Sequence, residues 1–266
     1  MKKKNFSGLL AAACLFLAAC STVPLTGRKQ VLLVSDQDVV ASSLKQYNQY
    51  IKSSTLSNNK AATAMVERVG RRIAAATEQY LRNNGMAGEI KNLSWEFHLV
   101  KDPQVNAFAM PGGKIVVYEG LLPYVSSDDD LAVVLGHEVA HAVAKHSNER
   151  MSQQILTQYG ANILGAALSN KSGAVQSVAN TVYGLGTQYG VMLPFSRQHE
   201  SEADYMGLVL MTMAGYNPEA AIPFWQKMSA GKSGRTPEFM STHPSDATRI
   251  AKLRQYLPEM AKYKKK

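Results

Sequence analysis

The stretch that most narrows what this chain can fold into is His137-Glu138-Val139-Ala140-His141, set inside the apolar run from Leu131 to Ala144. Such a run reads as a buried helix, and burying two imidazoles and a carboxylate is costly unless they are paired or hold a metal. At about 3.6 residues per turn, His137 and His141 stand about 40° apart, so both rings can grip one ion from the same face. Glu138 follows the first histidine, where its carboxylate can reach a water on that ion without being a ligand itself. A catalytic zinc would still need a third protein ligand and an open position.

The N-terminus carries a different signal. Met1-Lys2-Lys3-Lys4-Asn5 is basic, and the apolar stretch from Leu9 to Ala19 is too short for an ordinary transmembrane helix, the form of a secretory signal peptide. Leu17-Ala18-Ala19-Cys20 resembles the bacterial lipobox, which implies cleavage before Cys20 and lipidation of its thiol. Cys14 offers a shorter apolar stretch and has Ala11 instead of leucine three residues before it. Ser21, in place of aspartate, implies an outer-membrane destination on the periplasmic side. Both cysteines lie in this segment, so no disulfide is expected and the core must hold the fold. Without residues 1–19, 247 of 266 residues remain and the net charge falls from +9 to +6, with Lys262, Lys264, Lys265 and Lys266 at the C-terminus. An exported chain of this kind is expected to bind no nucleic acid; a solvated basic tail near anionic headgroups fits better.

Between these landmarks the periodicity changes from helix to strand and back. Asn59 to Asn83 places Ala62, Met65, Val66, Val69 and Ile73 on one helical face. From Leu93 the period becomes two, and 105–110 and 114–118 add strand candidates around Pro111-Gly112-Gly113, predicting a small antiparallel sheet just before the metal helix. Ser126-Ser127-Asp128-Asp129-Asp130 supplies a cap and negative charge for that helix. Residues 157–192 read as short helices and turns, either a lid or plain connections. Met206 to Met213 is a second buried helix ending at Gly215, and 218–228 and 245–256 give two more. The expected class is α+β, mainly helical, with a small, mostly antiparallel sheet beside the metal helix.

Four other histidines remain. His146 lies nine residues from His137, about 180° around a continuous helix, which makes it a surface or capping residue. His98 belongs to the polar side of its strand. The stretch 197–204 offers His199, Glu200, Glu202 and Asp204: Glu200 and Asp204 share a face, one to bind the metal and one to orient a ligand histidine, while Glu202 points the other way. Spacing does not choose between the two faces.

His137-Glu-Val-Ala-His141, Ser196-Arg-Gln-His-Glu200-Ser-Glu-Ala-Asp204, Asn106 to Leu122, and Thr242-His-Pro-Ser245 with Arg249 together resemble the zinc metallopeptidase family of the CAAX prenyl protease and HtpX. The likeness is greatest to soluble periplasmic members of the BepA and LoiP type. It implies a zincin-like domain over 41–260, after a lipoprotein signal peptide at 1–19 and a tether at 20–40, with a basic tail at 261–266. It also implies one Zn²⁺ held by His137, His141 and Glu200, with Glu138 as catalytic acid/base and Asp204 behind a ligand histidine. Asn106, Ala107 and Phe108 would form the edge that receives a substrate peptide as an added strand. His243 would be either a regulatory fourth ligand or a turn residue before Pro244. The expected activity is endopeptidase action on misfolded or unassembled envelope proteins from a Cys20 lipid anchor. The alternative is an outer-membrane assembly factor or chaperone with latent protease activity. HtpX-like membrane helices and the helical repeats of BepA-like members have no counterpart here.

Overall fold

Helices α1 (Asp36–Ser53), α2 (Lys60–Asn83) and the short α3 (Ala87–Ile90) precede a sheet of β3 (Glu96–Val100), β4 (Ala107–Met110) and β5 (Lys114–Tyr118). A hairpin, β1 (Cys20–Thr22) and β2 (Lys29–Val31), stands ahead of them. After the sheet come α4 (Asp128–Val143), α5 (Arg197–Met213), α6 (Ala221–Ala230), α7 (Glu238–Thr242) and α8 (Arg249–Tyr256). The computed structural model describes residues 20–155, 196–230, 237–243 and 248–264. The segments read as a signal peptide (1–19) and as a lid or connections (157–192) lie outside the described residues, save that 196–230 resumes after them.

Local chemistry explains the main helices. The Asn59 side chain caps α2 by accepting from the Ala62 N–H at 3.0 Å, and the inner face of α2 buries Val66, Val69 and Ile73 completely. Ser127 caps α4 by accepting from the Asp130 N–H at 3.2 Å, and Asp128, Asp129 and Asp130 fill the first turn, where the helix dipole favours negative charge. Beyond them every residue from Leu131 to His141 is buried. Leu131 and Leu135 join Phe224, Trp225 and Phe239 in the core, each contributing about 1.5–3 kcal/mol over an exposed side chain.

The sheet differs from the expected antiparallel order in one pair. Its order is β3-β5-β4: β4 and β5 form the hairpin around Pro111-Gly112-Gly113, but β5 inserts between β4 and β3 and runs parallel to β3, with Phe97 opposite Ile115. Asp102 to Asn106 turn the chain back one strand position away from β3, and β5 fills the place between them. This leaves β4 as an outer strand, packed against α4.

Residues 20–40, expected as a tether, are structured. Val23 and Val34 are buried, and Ser35 caps α1 by accepting from the Asp38 N–H at 3.2 Å. Thr26 and Arg28, between the hairpin strands, bond to carboxylates of the main body, which holds the hairpin down. Among the described residues no helix is long and apolar enough to cross a membrane.

Candidate metal centre

The site exists because α4 and α5 touch through their backbones. A Cβ on Gly136 would lie 2.8 Å from the Gly207 carbonyl oxygen, and one on Gly207 would lie 2.9 Å from the His137 nitrogen. No larger pair of residues permits this crossing. It brings the first turn of α5, capped by Ser196 accepting from the His199 N–H at 3.2 Å, against the histidine face of α4.

There His137 Nε2 and His141 Nε2 are 3.0 Å apart. Glu200 reaches both, at 3.2 Å from His137 and 3.4 Å from His141. His243, just after α7, places Nδ1 3.3 Å from His137 Nε2 and 3.2 Å from Glu200. His137 Nδ1 is 3.0 Å from Asp204, which also accepts from Arg249 Nη2 at 2.6 Å. Glu138 lies 3.4 Å from His243 Nε2 and accepts from the Ala109 N–H of β4. Every one of these side chains is buried.

The donor set fits zinc on geometry alone. At ligand bonds of about 2.0–2.1 Å, donors around a tetrahedral zinc sit about 3.3 Å apart, which matches the 3.0 to 3.4 Å separations among His137, His141 and Glu200 and those of His243 from His137 and Glu200, with all four donors within 4.8 Å of one another. With Asp204 taking the Nδ1–H of His137, the Nε2 lone pair of that ring faces another imidazole nitrogen, an arrangement that a shared cation makes favourable. Electrostatics agree. Burial opposes charge on His137, yet the Asp204 and Glu200 carboxylates outweigh it and hold its pKa up at about 9. Burial likewise opposes the charge on Glu200, but His243, His141 and His137 keep its carboxyl well below the usual range. Burial pushes Glu138 up and His141 well down. A cavity that favours a proton on His137 through two carboxylates favours a divalent cation for the same reason.

The remaining expectations sort themselves by position. Glu202 faces away from the cluster, toward Thr26, Arg28 and His146, so the choice of helix face falls to Glu200 and Asp204. His98 stays apart, beside Glu96. Asn106 precedes β4, while Ala107 and Phe108 lie in it, next to the Glu138 side of the site. Cys20 is exposed at the start of β1. His146 is the correction: it is fully buried, with Nδ1 2.9 Å from His141 Nδ1. The continuous helix assumed for it ends at Val143, because Lys145 takes a left-handed φ of 58° and is tied to Asp36 and Glu89, after which a new helical run spans 146–155. Neither glycine nor proline announces that break.

A family model described as peptidase family M48 matches residues 60–257. The mitochondrial metalloendopeptidase OMA1 of Schizosaccharomyces pombe is 37% identical over 244 residues, covering 89% of this chain and 66% of that protein. Human metalloendopeptidase OMA1, mitochondrial, is 30% identical over 276 residues, 98% of this chain and 51% of its own length. The β-barrel assembly-enhancing protease of Escherichia coli is 33% identical over 195 residues, 68% of this chain and 39% of its own. The chain thus spans about half the length of the curated relatives it matches. The expected bacterial outer-membrane, periplasmic location is overturned here, since most of the similar proteins are mitochondrial by name. That expectation rested on the N-terminal residues, and 1–19 lie outside the described part. The matched stretch covers most of the chain and includes the whole motif set, and the chain belongs to peptidase family M48, the zinc metallopeptidase family its motifs resemble.

Proposed function

We propose that this protein is a zinc-dependent endopeptidase in which His137, His141 and Glu200 hold the metal, Glu138 moves the proton and Asp204 orients His137. The observation that carries the reading is the convergence of three buried donors at tetrahedral spacing with a buried carboxylate beside them. Zinc held there supplies Lewis acidity toward a peptide carbonyl and a water with a pKa of about 7. Glu138 carries the proton from water to the leaving nitrogen as the C–N bond breaks. Its burial suits this, because a raised pKa brings a carboxylate closer to the operating pH. The outer strand β4, with Asn106, Ala107 and Phe108, offers backbone groups to an extended chain, which suits unfolded or misassembled proteins as substrates. Acylation of the exposed Cys20 would attach the domain to a membrane surface.

Elemental analysis beside cleavage of an unfolded test protein decides the central point. Glu138→Gln should keep about one zinc per chain and lose cleavage by at least 10²-fold; retained cleavage would overturn the assignment.

A second reading, an assembly factor or chaperone with latent proteolysis, is favoured by one feature. His243 stands at ligand distance from the cluster, and the Phe239 N–H in the same segment bonds to the Val105 carbonyl at 3.0 Å, beside the start of β4. The name of the E. coli relative joins assembly to proteolysis in that protein. If His243 closes the site, His243→Ala raises cleavage; a turn residue gives no gain.

A further inference from the structure

The two histidines of α4 are backed in different ways. Behind His137 stands a carboxylate, Asp204. Behind His141 stands another histidine, His146, at 2.9 Å between the two Nδ1 atoms. His146 Nε2 is in turn 3.0 Å from Glu202 Oε2, and Glu202 accepts from Arg28 Nε at 2.7 Å and from Thr26 Oγ1 at 2.5 Å. The two Nη atoms of Arg28 pair with both oxygens of Glu149 at 2.8 and 2.6 Å, and Glu149 also accepts from His199 Nε2 at 3.0 Å. A line of polar groups therefore runs from the metal cluster to the hairpin at the N-terminus, and His146, Glu149, His199 and Glu202 along it are buried.

The direction of each hydrogen bond follows from what each group can donate. A neutral imidazole carries one N–H. His141 presents Nε2 to the other metal donors, so its proton sits on Nδ1 and is donated to His146 Nδ1. That nitrogen must then be an acceptor, which puts the His146 proton on Nε2, where it is donated to Glu202. A carboxylate accepts without donating, and Glu202 receives this N–H together with those of Arg28 and the hydroxyl of Thr26. Reversing any link would set two donors or two acceptors face to face.

We propose that His146 is a positioning residue that fixes the tautomer and ring angle of His141, and that Arg28 of the N-terminal hairpin anchors it through Glu202. The arrangement does for His141 what Asp204 and Arg249 do for His137, with a histidine inserted between ligand and carboxylate. It rests on the reading of His141 as a zinc ligand. Groups that orient a ligand histidine typically set metal affinity by about 10–100-fold. Because such coupling is reciprocal, bound zinc would strengthen docking of the hairpin by the same factor as the docked hairpin strengthens zinc binding.

The test is zinc affinity by chelator competition on the full chain, with thermal melts of the metal-free forms alongside. His146→Phe fills the space without hydrogen bonds and should weaken zinc about 10–100-fold. His146→Asn can accept from His141 through Oδ1 and donate to Glu202 through Nδ2, and should recover most of that loss. Arg28→Met should weaken zinc in the same sense. If His146→Phe does not fold, Arg28→Met and His146→Asn carry the test: weaker binding in the first and near-unmodified binding in the second supports the proposal. Unchanged affinity in Arg28→Met and His146→Phe, with melting temperature alone reduced, shows a merely structural role and overturns it, as does a loss in His146→Phe that His146→Asn leaves as large. Failure of the zinc reading looks different: the unmodified chain would bind no zinc, or His137→Ala would bind it as tightly.

Discussion

Glu138 is held where a carboxylate is least comfortable. Burial raises its pKa, and its Oε1, though 3.4 Å from His243 Nε2, makes no hydrogen bond. Groups kept in this way at a reactive site lower stability, so relieving them raises it. Glu138→Gln should therefore increase stability by about 1 kcal/mol, or about 2–4 °C in melting temperature for a domain of this size, measured by calorimetry on zinc-loaded protein. A lower melting temperature would show that the carboxylate is better satisfied than its surroundings indicate. Asp204 presents the opposite case, because its buried charge is answered by Arg249, whose guanidinium also stacks 3.5 Å over Trp225. Arg249→Met leaves a buried carboxylate short of its cation and should cost about 3–5 kcal/mol in urea unfolding, with weaker zinc binding. At this scale the sequence was readable wherever chemistry repeats at helical spacing. His137, Glu138 and His141 announce themselves inside an apolar run. Glu200 could be separated from Glu202 by the family likeness but not by spacing. His146 was lost, since its position depends on a left-handed Lys145 that nothing in the local sequence demands.

Between elements the decisive contact is the α4–α5 crossing. Gly136 and Gly207 meet backbone to backbone, and neither backbone can swing aside as a flexible side chain would. Gly136→Ala should push the helices apart, costing about 1–3 kcal/mol and moving Glu200 away from both histidines, so zinc content should fall together with stability. Gly88→Ala is the control: a Cβ there meets nothing within 4 Å, and stability and zinc content should stay as they are. A Gly136→Ala protein that binds zinc normally would mean that the crossing does not set the site. Helices α2, α4 and α5 were legible from their apolar period, and α4 also from Ser127, which stands where an N-terminal N–H needs an acceptor; Asn59 and Ser196 cap α2 and α5 in the same way, a role that the sequence reading did not single out. The parallel pairing of β3 with β5 was not, since alternation marks a strand without naming its neighbour. The hairpin of residues 20–31 was also missed: Arg28 and Thr26 find their partners 121 to 176 residues further along the chain, a separation that no local pattern spans.

For the molecule as a whole, that hairpin joins three separate stretches by charge: Arg28, Glu149 from the run after α4, and Glu202 from α5. Burial works to raise the Glu149 pKa, but Arg28 and His199 overcome it and draw it from 4.5 down to about 2. Between these values the unfolded chain binds a proton at this site that the folded chain refuses. The contribution of Glu149 is therefore complete above about pH 4.5 and is lost as pH falls toward 2. Glu149→Gln removes this dependence while also leaving Arg28 less well paired, so its stability should be lower at neutral pH and should fall less steeply on acidification. Urea unfolding of metal-free protein at steps from pH 6 to pH 3 measures the slope without interference from protons competing for the metal donors. Parallel slopes for the two proteins would mean that the hairpin is held by its apolar contacts, Val23 among them, and that the ion pair across the three stretches adds nothing to the fold.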